Sequence, residues 1–434
     1  MSDYLPRVVD ESVRDALATF GAVILQGPRA AGKTTTGLQF AASSVRLDSS
    51  PELAELANAS PGTLLGGDAP RLIDEWQLAP PLWNAVRHEV DRRREPGQFI
   101  LTGSATPEDD VTRHSGAGRF GRVTLRPMTI AESGQALAAF SLADIFESRA
   151  ISGYGGPTVE DYAAAIERGG WPALIEQPRR SATSYLSSYL DDIARVDLPG
   201  ADLRIDPVRM QALMRALARN TATEVTAARL SEEAEIDAPA GTSVSAQSVR
   251  KYLDALTRIF VLEEQPAWAP HLRSKIRLRV QPKWHFIDPS LAAAALGASR
   301  TALLGDPKTL GLFFESLCIR DLRVHAGALG GRVYHYRDET GLEVDAIVEL
   351  TDWSWSAFEV KLGGVKSIDA AARNLIKLSD RVSQDRGARL RTLNVLTAGN
   401  ASYRRPDGVN VVALGHLGPT AGTSLTSTVR SQEA

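Results

Sequence analysis

Residues 27 to 34 read Gly27-Pro-Arg-Ala-Ala-Gly32-Lys33-Thr34, a complete G-x-x-x-x-G-K-[ST] signature. Ahead of it, Ala22-Val-Ile-Leu25 is a short apolar run of the kind that forms a buried parallel strand. Behind it, Thr34 to Ala42 carries helix-compatible residues. The loop therefore falls between strand and helix, where main-chain N–H groups and the positive helix end converge. That arrangement cradles phosphates. Gly27, Pro28, Arg29, Ala30, Ala31, Gly32, Lys33, Thr34 and Thr35 are expected to wrap a nucleoside triphosphate, taken as ATP. Lys33 would reach its β and γ phosphates, and the Thr34 hydroxyl would hold Mg²⁺. A glycine turn that merely happens to precede a lysine fits these flanks poorly.

The chain of 434 residues has room for two to four domains at about 150 residues each. A net charge of −3 argues against a generally basic nucleic-acid binder, although local basic patches are compatible with it. The single cysteine, Cys318, excludes an internal disulfide framework and a cysteine-rich zinc site, and in Leu317-Cys318-Ile319 it reads as a buried core thiol. The N-terminus is no signal peptide and no apolar run approaches about 18 residues, so the expectation is a cytoplasmic protein without a membrane segment.

After the loop, Val45-Arg-Leu-Asp48, Arg71-Leu-Ile-Asp74-Glu75 and Gln98-Phe-Ile-Leu101 are candidate strands, with a helix over Pro81 to Arg93. The order is that of a parallel sheet with its site at the strand C-termini. Asp74 is then the acid that holds Mg²⁺ through water, and Glu75 the base that orients and deprotonates the attacking water. Thr102 or Ser104 would sense the γ-phosphate. Arg119 and Arg122, just before the strand-like Val123-Thr-Leu125, are candidates to stabilise a transition state in their own subunit or in a neighbouring copy of a homo-oligomer.

Taken together, Gln26 to Thr35, Leu72-Ile-Asp-Glu75, Leu101-Thr-Gly-Ser104, Gly118-Arg119 and Arg126-Pro-Met128 through Glu132 resemble a widespread prokaryotic group, the AAA-type ATP-binding proteins whose C-terminal half carries a domain of unknown function. The resemblance covers nearly the whole chain apart from the tail. It implies an α/β fold: a P-loop NTPase parallel-sheet core over 1–150, a helical lid or connector over 151–200 and a winged-helix-like segment over 201–300. A restriction-endonuclease-like α/β domain would occupy 301–417, ahead of a disordered tail over 418–434.

The residues of the middle region fit such a plan. Ile151 to Pro157 is a glycine-rich break that reads as a hinge, and Val159 to Arg168 and Ser181 to Arg195 have helical spacing. Further helices are expected over Pro207 to Asn220, Thr223 to Glu235 and, after Ser245 as N-cap, Ala246 to Phe260. Val261 to Glu264 and Lys275 to Val280 alternate as strands. Helices followed by strands are the order of a winged helix, whose last helix, here carrying Arg250 and Lys251, can enter a DNA major groove. Lys275, Arg277 and Arg279 share one face of the second strand, a stripe that would neutralise phosphates or else be a solvated or salt-bridged face. Lys283 closes the same basic run.

In the C-terminal part, Glu315 lies in the helix-like Gly311 to Arg320, Asp345 in the strand Glu343-Val344-Asp345-Ala-Ile-Val348, and Glu359 and Lys361 in the strand Ala357-Phe-Glu359-Val-Lys361. Residues two apart on a strand point the same way. An Asp and a Glu on paired strands can hold a hard divalent cation, and a lysine beside them can orient a water or stabilise a phosphate. This pattern resembles the PD-(D/E)XK nuclease superfamily, whose helix-borne acid Glu315 would also supply. Tyr334 to Arg337 are expected to line the same cleft, with His335 a strand residue whose imidazole is satisfied. Two functions follow: an ATPase whose Mg-ATP state controls a DNA-directed nuclease-like module, or a nucleotide-dependent switch or docking protein with an inactive nuclease-like domain.

Overall fold

Strands buried on both faces need continuous apolar runs, and the first part of the chain supplies them. The computed structural model describes residues 4–103, 116–175, 177, 179–197, 206–237, 244–269, 280–382 and 389–420. Two units are distinguished by internal packing: residues 4–126 with 258–261, and Pro127–Thr257 with residues 262–420.

The first unit runs α1 (Asp10–Thr19), β1 (Ala22–Gln26), α2 (Lys33–Phe40), β2 (Ser43–Arg46), α3 (Pro51–Ala59), β3 (Arg71–Asp74), α4 (Pro81–Arg93), β4 (Phe99–Gly103) and β5 (Phe120–Thr124). Its five strands form a parallel sheet in the order β2-β3-β4-β1-β5. Alternate residues of β1 serve opposite faces. Val23 and Leu25 pack in one cluster with Val13 of α1, Leu72 and Ile100. Ala22 and Ile24 pack in the other with Trp83, Val86 and Val90 of α4, Ile73 and Leu101. Each such buried aliphatic or aromatic side chain contributes about 1.5–3 kcal/mol. The result is a rigid platform whose strand C-termini all end on one edge.

Two local expectations change. The strand read over Val45 to Asp48 is Ser43–Arg46 instead, because Leu47 turns into a 3₁₀ segment and is buried with Trp76 and Trp83. Glu75 does not extend β3; it adopts a left-handed conformation (φ 56°, ψ 42°), which ends the strand at Asp74.

The second unit begins with β6 (Phe140–Ser141), α5 (Leu142–Phe146), β7 (Gly153–Tyr154), α6 (Val159–Arg168), α7 (Arg179–Asp192), α8 (Pro207–Arg219), α9 (Ala227–Asp237) and α10 (Ala246–Arg258). The Ser245 hydroxyl accepts from the Ser248 N–H at 3.1 Å, so it caps α10 as expected. Next come the hairpin strands β8 (Leu262–Gln265) and β9 (Lys283–Phe286), antiparallel, with a bridge from Glu224 to Lys283. Lys275 to Val280 falls almost entirely outside the described residues, and the partner of β8 is β9. Three helices follow: α11 (Pro289–Leu296), α12 (Arg300–Gly305) and α13 (Pro307–Ala328), the last capped by the Asp306 carboxylate. Cys318 lies on α13 and is fully buried, as expected.

β10 (Arg332–Arg337), β11 (Glu343–Glu349), β12 (Trp355–Lys361), α14 (Val365–Arg381), β13 (Leu390–Thr397), β14 (Ala401–Arg404), β15 (Asn410–Ala413) and β16 (Leu417–Gly418) complete the unit. A mixed seven-stranded sheet has the order β10-β11-β12-β13-β15-β14-β7. Its last strand is a correction. The glycine-rich segment read as a hinge supplies β7, which pairs with β14 across Ala401↔Tyr154. Residues 127–150, expected with the nucleotide-binding core, also pack in this unit, where β6 pairs with β16. Gly418 is thus in a strand, and 421–434 of the expected tail lie outside the described residues.

A buried ionic knot fixes α13. Arg320 donates to Asp288 at 2.6 Å and to Asp321 at 2.7 and 2.8 Å, and all three are at most 3% exposed. The remaining acceptor capacity is used as well: the Asp288 oxygen that meets Arg320 also accepts from the Gly170 N–H at 3.1 Å, its other oxygen accepts from the Ser290 N–H at 2.9 Å, and the second Asp321 oxygen accepts from the Ile130 N–H at 3.0 Å. Paired and fully hydrogen-bonded, the charges are tolerated in the interior; stripped of one partner they would not be.

Candidate functional site

At the edge where β1, β3 and β4 end, the loop of residues 27–34 opens onto α2. Gly32, the residue before the helix, takes φ +96°, and Ala30 takes φ +60°. At Gly27 an added Cβ would lie 2.1 Å from the Leu125 carbonyl oxygen, so the loop can pass that strand only without a side chain. Lys33 is 6% exposed and bends back over the loop, donating to the Gly27 and Pro28 carbonyls at 3.0 and 2.7 Å. Burial pulls its ammonium down to about 8, against the opposing pull of Glu75 and Asp74. The Thr34 hydroxyl lies 2.9 and 3.0 Å from the two Asp74 oxygens. Asp74, 1% exposed, also accepts from the Thr102 hydroxyl and faces the Arg46 guanidinium at 3.5 Å. Glu75, held by Gln77, is next to it.

The structure therefore brings Lys33, Thr34, Asp74 and Thr102 into one buried polar cluster at a helix N-terminus, with Glu75 adjoining. These residue types fit Mg-ATP: an ammonium whose hydrogen bonds, among the described residues, go to its own loop carbonyls, and a hydroxyl–carboxylate pair suited to a hard cation. Ser104 lies outside the described residues. Arg119 is not brought to the site. It precedes β5 and pairs with Asp91 at 2.8 Å, and in a parallel sheet the start of β5 lies at the opposite edge from the loop. Within one chain it cannot reach the phosphates. Arg122, mid-strand, lies over the Trp83 ring and donates to Gln26 at 3.3 Å.

A second polar cleft, of about 410 Å³, lies in the C-terminal unit. Asp345 of β11 and Glu359 and Lys361 of β12 face it because the strands pair antiparallel with those positions on one side; Glu315 enters from α13. Lys361 is 2.6 Å from Glu359 and 3.3 Å from Asp345, and Asp345 also accepts from the Val360 N–H at 2.8 Å. The four residues expected to converge do so. Burial and the Asp345 charge push the Glu359 and Glu315 carboxyls above their ordinary range. Burial disfavours the charge of Asp345 too, but Lys283 and Lys361 outweigh it and hold that carboxyl low.

The metal shell read for this cleft is not formed: among the described residues no three His, Cys, Asp or Glu side chains are arranged to hold a metal ion. A second lysine reaches the same acids. Lys283 of β9, 2% exposed, lies 2.9 Å from Glu315, 2.8 Å from Glu343 and 3.7 Å from Asp345. Burial opposes its charge, but Glu315, Asp345 and Glu343 outweigh it and hold the ammonium well above the ordinary lysine range. Of Tyr334 to Arg337, Arg337 lines the cleft, while Tyr334 and Tyr336 alternate into the core with Trp268. His335 is only half satisfied: Nε2 meets the Gln281 carbonyl at 3.2 Å, while Nδ1 has no hydrogen-bond partner among the described residues and faces the Glu224 carboxylate at 3.9 Å.

On the exposed face of α10, Arg250 and Lys251 are free of burial, and Lys275, Arg277 and Arg279 lie outside the described residues. No helix among the described residues is long and apolar enough to cross a membrane.

Residues 19–134 match the family model described as AAA domain. This part of the chain is an AAA-type domain. Beyond it, residues 159–302 match a domain of unknown function (DUF8612) and residues 310–417 another (DUF4143). The uncharacterized proteins Rv2008c of Mycobacterium tuberculosis and Mb2031c of Mycobacterium bovis are each 27% identical over 370 residues, 84% of this chain and 75% of theirs. Among solved structures, the Walker-type ATPase PABY2304 of Pyrococcus abyssi aligns at 13% identity and TM-score 0.41, over 68% of this chain and 97% of that one. The Aeropyrum pernix Orc1 protein, solved in complex with DNA, aligns at 14% identity and TM-score 0.26, over 70% and 94%. Likenesses that low add nothing to the reading of the AAA domain, which rests on its family match and its loop geometry.

Among the cleft residues that escaped the sequence are Glu343 and Lys283. Glu343 had a legible signal, since it is two positions from Asp345 on the same strand and shares its face. Lys283 read as part of a basic stripe, and nothing local distinguishes it from Lys275.

Proposed function

We propose that this chain is an Mg-ATP hydrolase whose nucleotide state governs a DNA-directed, nuclease-like C-terminal module. The observation that carries the ATPase part is the Thr34 hydroxyl held between both Asp74 oxygens, beside a loop lysine that donates to the Gly27 and Pro28 carbonyls and, among the described residues, has no acidic partner within ion-pair distance. Lys33 would leave its loop carbonyls to bind the terminal phosphates, while Thr34 and Asp74 hold the cation side. Magnesium, when bound, neutralises charge on the phosphates. Glu75, next to Asp74 and in a left-handed backbone conformation, would take the proton of the attacking water. Thr102 holds Asp74 in place by donating to it. Arg119 remains a candidate only toward a neighbouring copy.

The domain plan belongs to the same reading: an AAA core, a helical connector, a winged-helix-like segment and a nuclease-like domain. The order α8, α9, α10, β8, β9 and the exposed Arg250 and Lys251 support a winged helix that contacts nucleic acid. The convergence of Glu315, Asp345, Glu359 and Lys361 supports the nuclease-like reading. Engagement of the carboxylates by Lys283 favours a second one, a switch that binds without cutting.

The ATPase reading is tested with Glu75→Gln, which should bind ATP like the parent and hydrolyse it at least roughly 100-fold more slowly. Undiminished hydrolysis removes Glu75 from its role. For the module, Mg²⁺- or Mn²⁺-dependent cutting of DNA that disappears in both Asp345→Ala and Lys361→Ala supports the nuclease; cutting that survives both variants refutes the assigned cleft.

A further inference from the structure

The C-terminal cleft carries five carboxylates, of Glu224, Glu315, Glu343, Asp345 and Glu359, and three cationic side chains. Both oxygens of Asp345 and one oxygen each of Glu315 and Glu343 already face a cation or a main-chain N–H. One oxygen of Asp345 faces Lys283 at 3.7 Å, and the other faces Lys361 at 3.3 Å and the Val360 N–H at 2.8 Å. Glu315 and Glu343 are each given to Lys283, at 2.9 and 2.8 Å. Hard divalent ions require oxygens at about 2.0–2.6 Å around their own centre. An ion seated among Glu315, Glu343 and Asp345 would have to share its space with an ammonium.

Lys283 is not a loose surface chain that drifts into the cleft. Its backbone pairs with Gln265 in the β8–β9 hairpin and bridges to Glu224. The hairpin is itself pinned to the sheet and to α13. Gln265 Nε2 donates to the Tyr334 and Asp345 carbonyls at 3.0 and 2.8 Å, which commits its Oε1 to accept from His285 Nε2 at 2.9 Å. The other ring nitrogen of His285 then accepts from the Ser316 hydroxyl at 3.2 Å. Arg323 of α13 donates to Glu263 and to the Glu264 carbonyl, both at 2.9 Å. The segment outside the sheet thus delivers a cation to a fixed point between three acids.

We infer that Lys283 is the resident cation of this cleft and excludes divalent metal from it. This rests on the nuclease-like reading of the cleft and adds a lock to it: the module is held without metal by a residue of the winged-helix-like segment.

The test is Mn²⁺ titration of the full chain without nucleotide, followed by the electron paramagnetic resonance of the free ion. The parent should show no binding that depends on Asp345. Lys283→Met should gain one site, tighter by at least roughly 100-fold because a unit charge beside the ion is gone, and Asp345→Asn in that background should abolish it. Lys283→Arg, which keeps the charge, should behave as the parent. The inference is overturned if the parent already binds Mn²⁺ in an Asp345-dependent way, or if folded Lys283→Met gains no site. Should Lys283→Met fail to fold, comparing the parent with Asp345→Asn decides: identical isotherms uphold the lock, differing ones refute it. Nuclease activity is a separate readout. Metal-loaded Lys283→Met that cuts no nucleic acid counts against the nuclease reading and leaves the lysine's role standing.

Discussion

Lys33 offers a quantitative handle on nucleotide binding. Its ammonium sits at about 8 in the nucleotide-free protein, against 10.5 for a free lysine, chiefly because burial penalises the charge. The difference corresponds to about 3 kcal/mol of disfavoured charging at the loop. Between those two values the unfolded chain holds the proton and the folded chain does not. Stability of the nucleotide-free protein therefore rises with pH through that window, and the penalty is present in full below it. Binding reverses the balance, because phosphate oxygens replace the two loop carbonyls and the lysine must be charged to meet them. At pH 7 it already is. At pH 9 binding should take up about 0.9 proton, and affinity should fall about tenfold for each pH unit above 8. Calorimetric titration with Mg-ATP at pH 9, in two buffers of different ionisation enthalpy, measures the uptake directly. Lys33→Arg, charged throughout, should bind more weakly but without that pH dependence. Buffer-independent heats and a flat affinity from pH 7 to 9.5 in the parent would refute the account of Lys33.

Two stability predictions follow from packing. Arg320→Met should destabilise the second unit by about 3–5 kcal/mol in urea unfolding, since Asp288 and Asp321 would stay buried without their cation; a loss under 1 kcal/mol refutes the knot. Gly27→Ala should cost about 2–4 kcal/mol, because its Cβ meets the Leu125 carbonyl and its φ is +149°. Gly118→Ala, with φ +78° but open space around it, should cost only about 1 kcal/mol, and equal losses at the two positions would show that the carbonyl contact is unimportant.

What the sequence made legible was local. The loop, the strand before it and the acid at the end of β3 each announce themselves within a few residues, because the motif needs contiguous backbone. The cleft was half legible: Asp345, Glu359 and Lys361 sit on alternating strands whose period reveals their shared face. Lys283 was hidden because its partners lie 32 or more residues away, and only pairing of β8 with β9 aims it. The segment around Tyr154 looked like punctuation for a similar reason. Its strand exists only beside Ala401, and two residues of extended chain carry no periodicity of their own. For Arg119, the own-subunit alternative fails because the direction of β5, set by parallel pairing, places the residue at the far edge of its own sheet; the neighbouring-copy alternative is untouched by this.

The Arg320 knot has a mechanical corollary. Ile130, four residues past Arg126, hangs by its N–H from Asp321, and Glu315 is borne five positions before Arg320 on the same long helix. A tug on the strand of chain that enters the second unit at Pro127 is therefore felt by α13 as a stiff rod, not absorbed by slack. Any displacement large enough to matter at Glu315 must either carry the whole rod or break a buried guanidinium from its two acids.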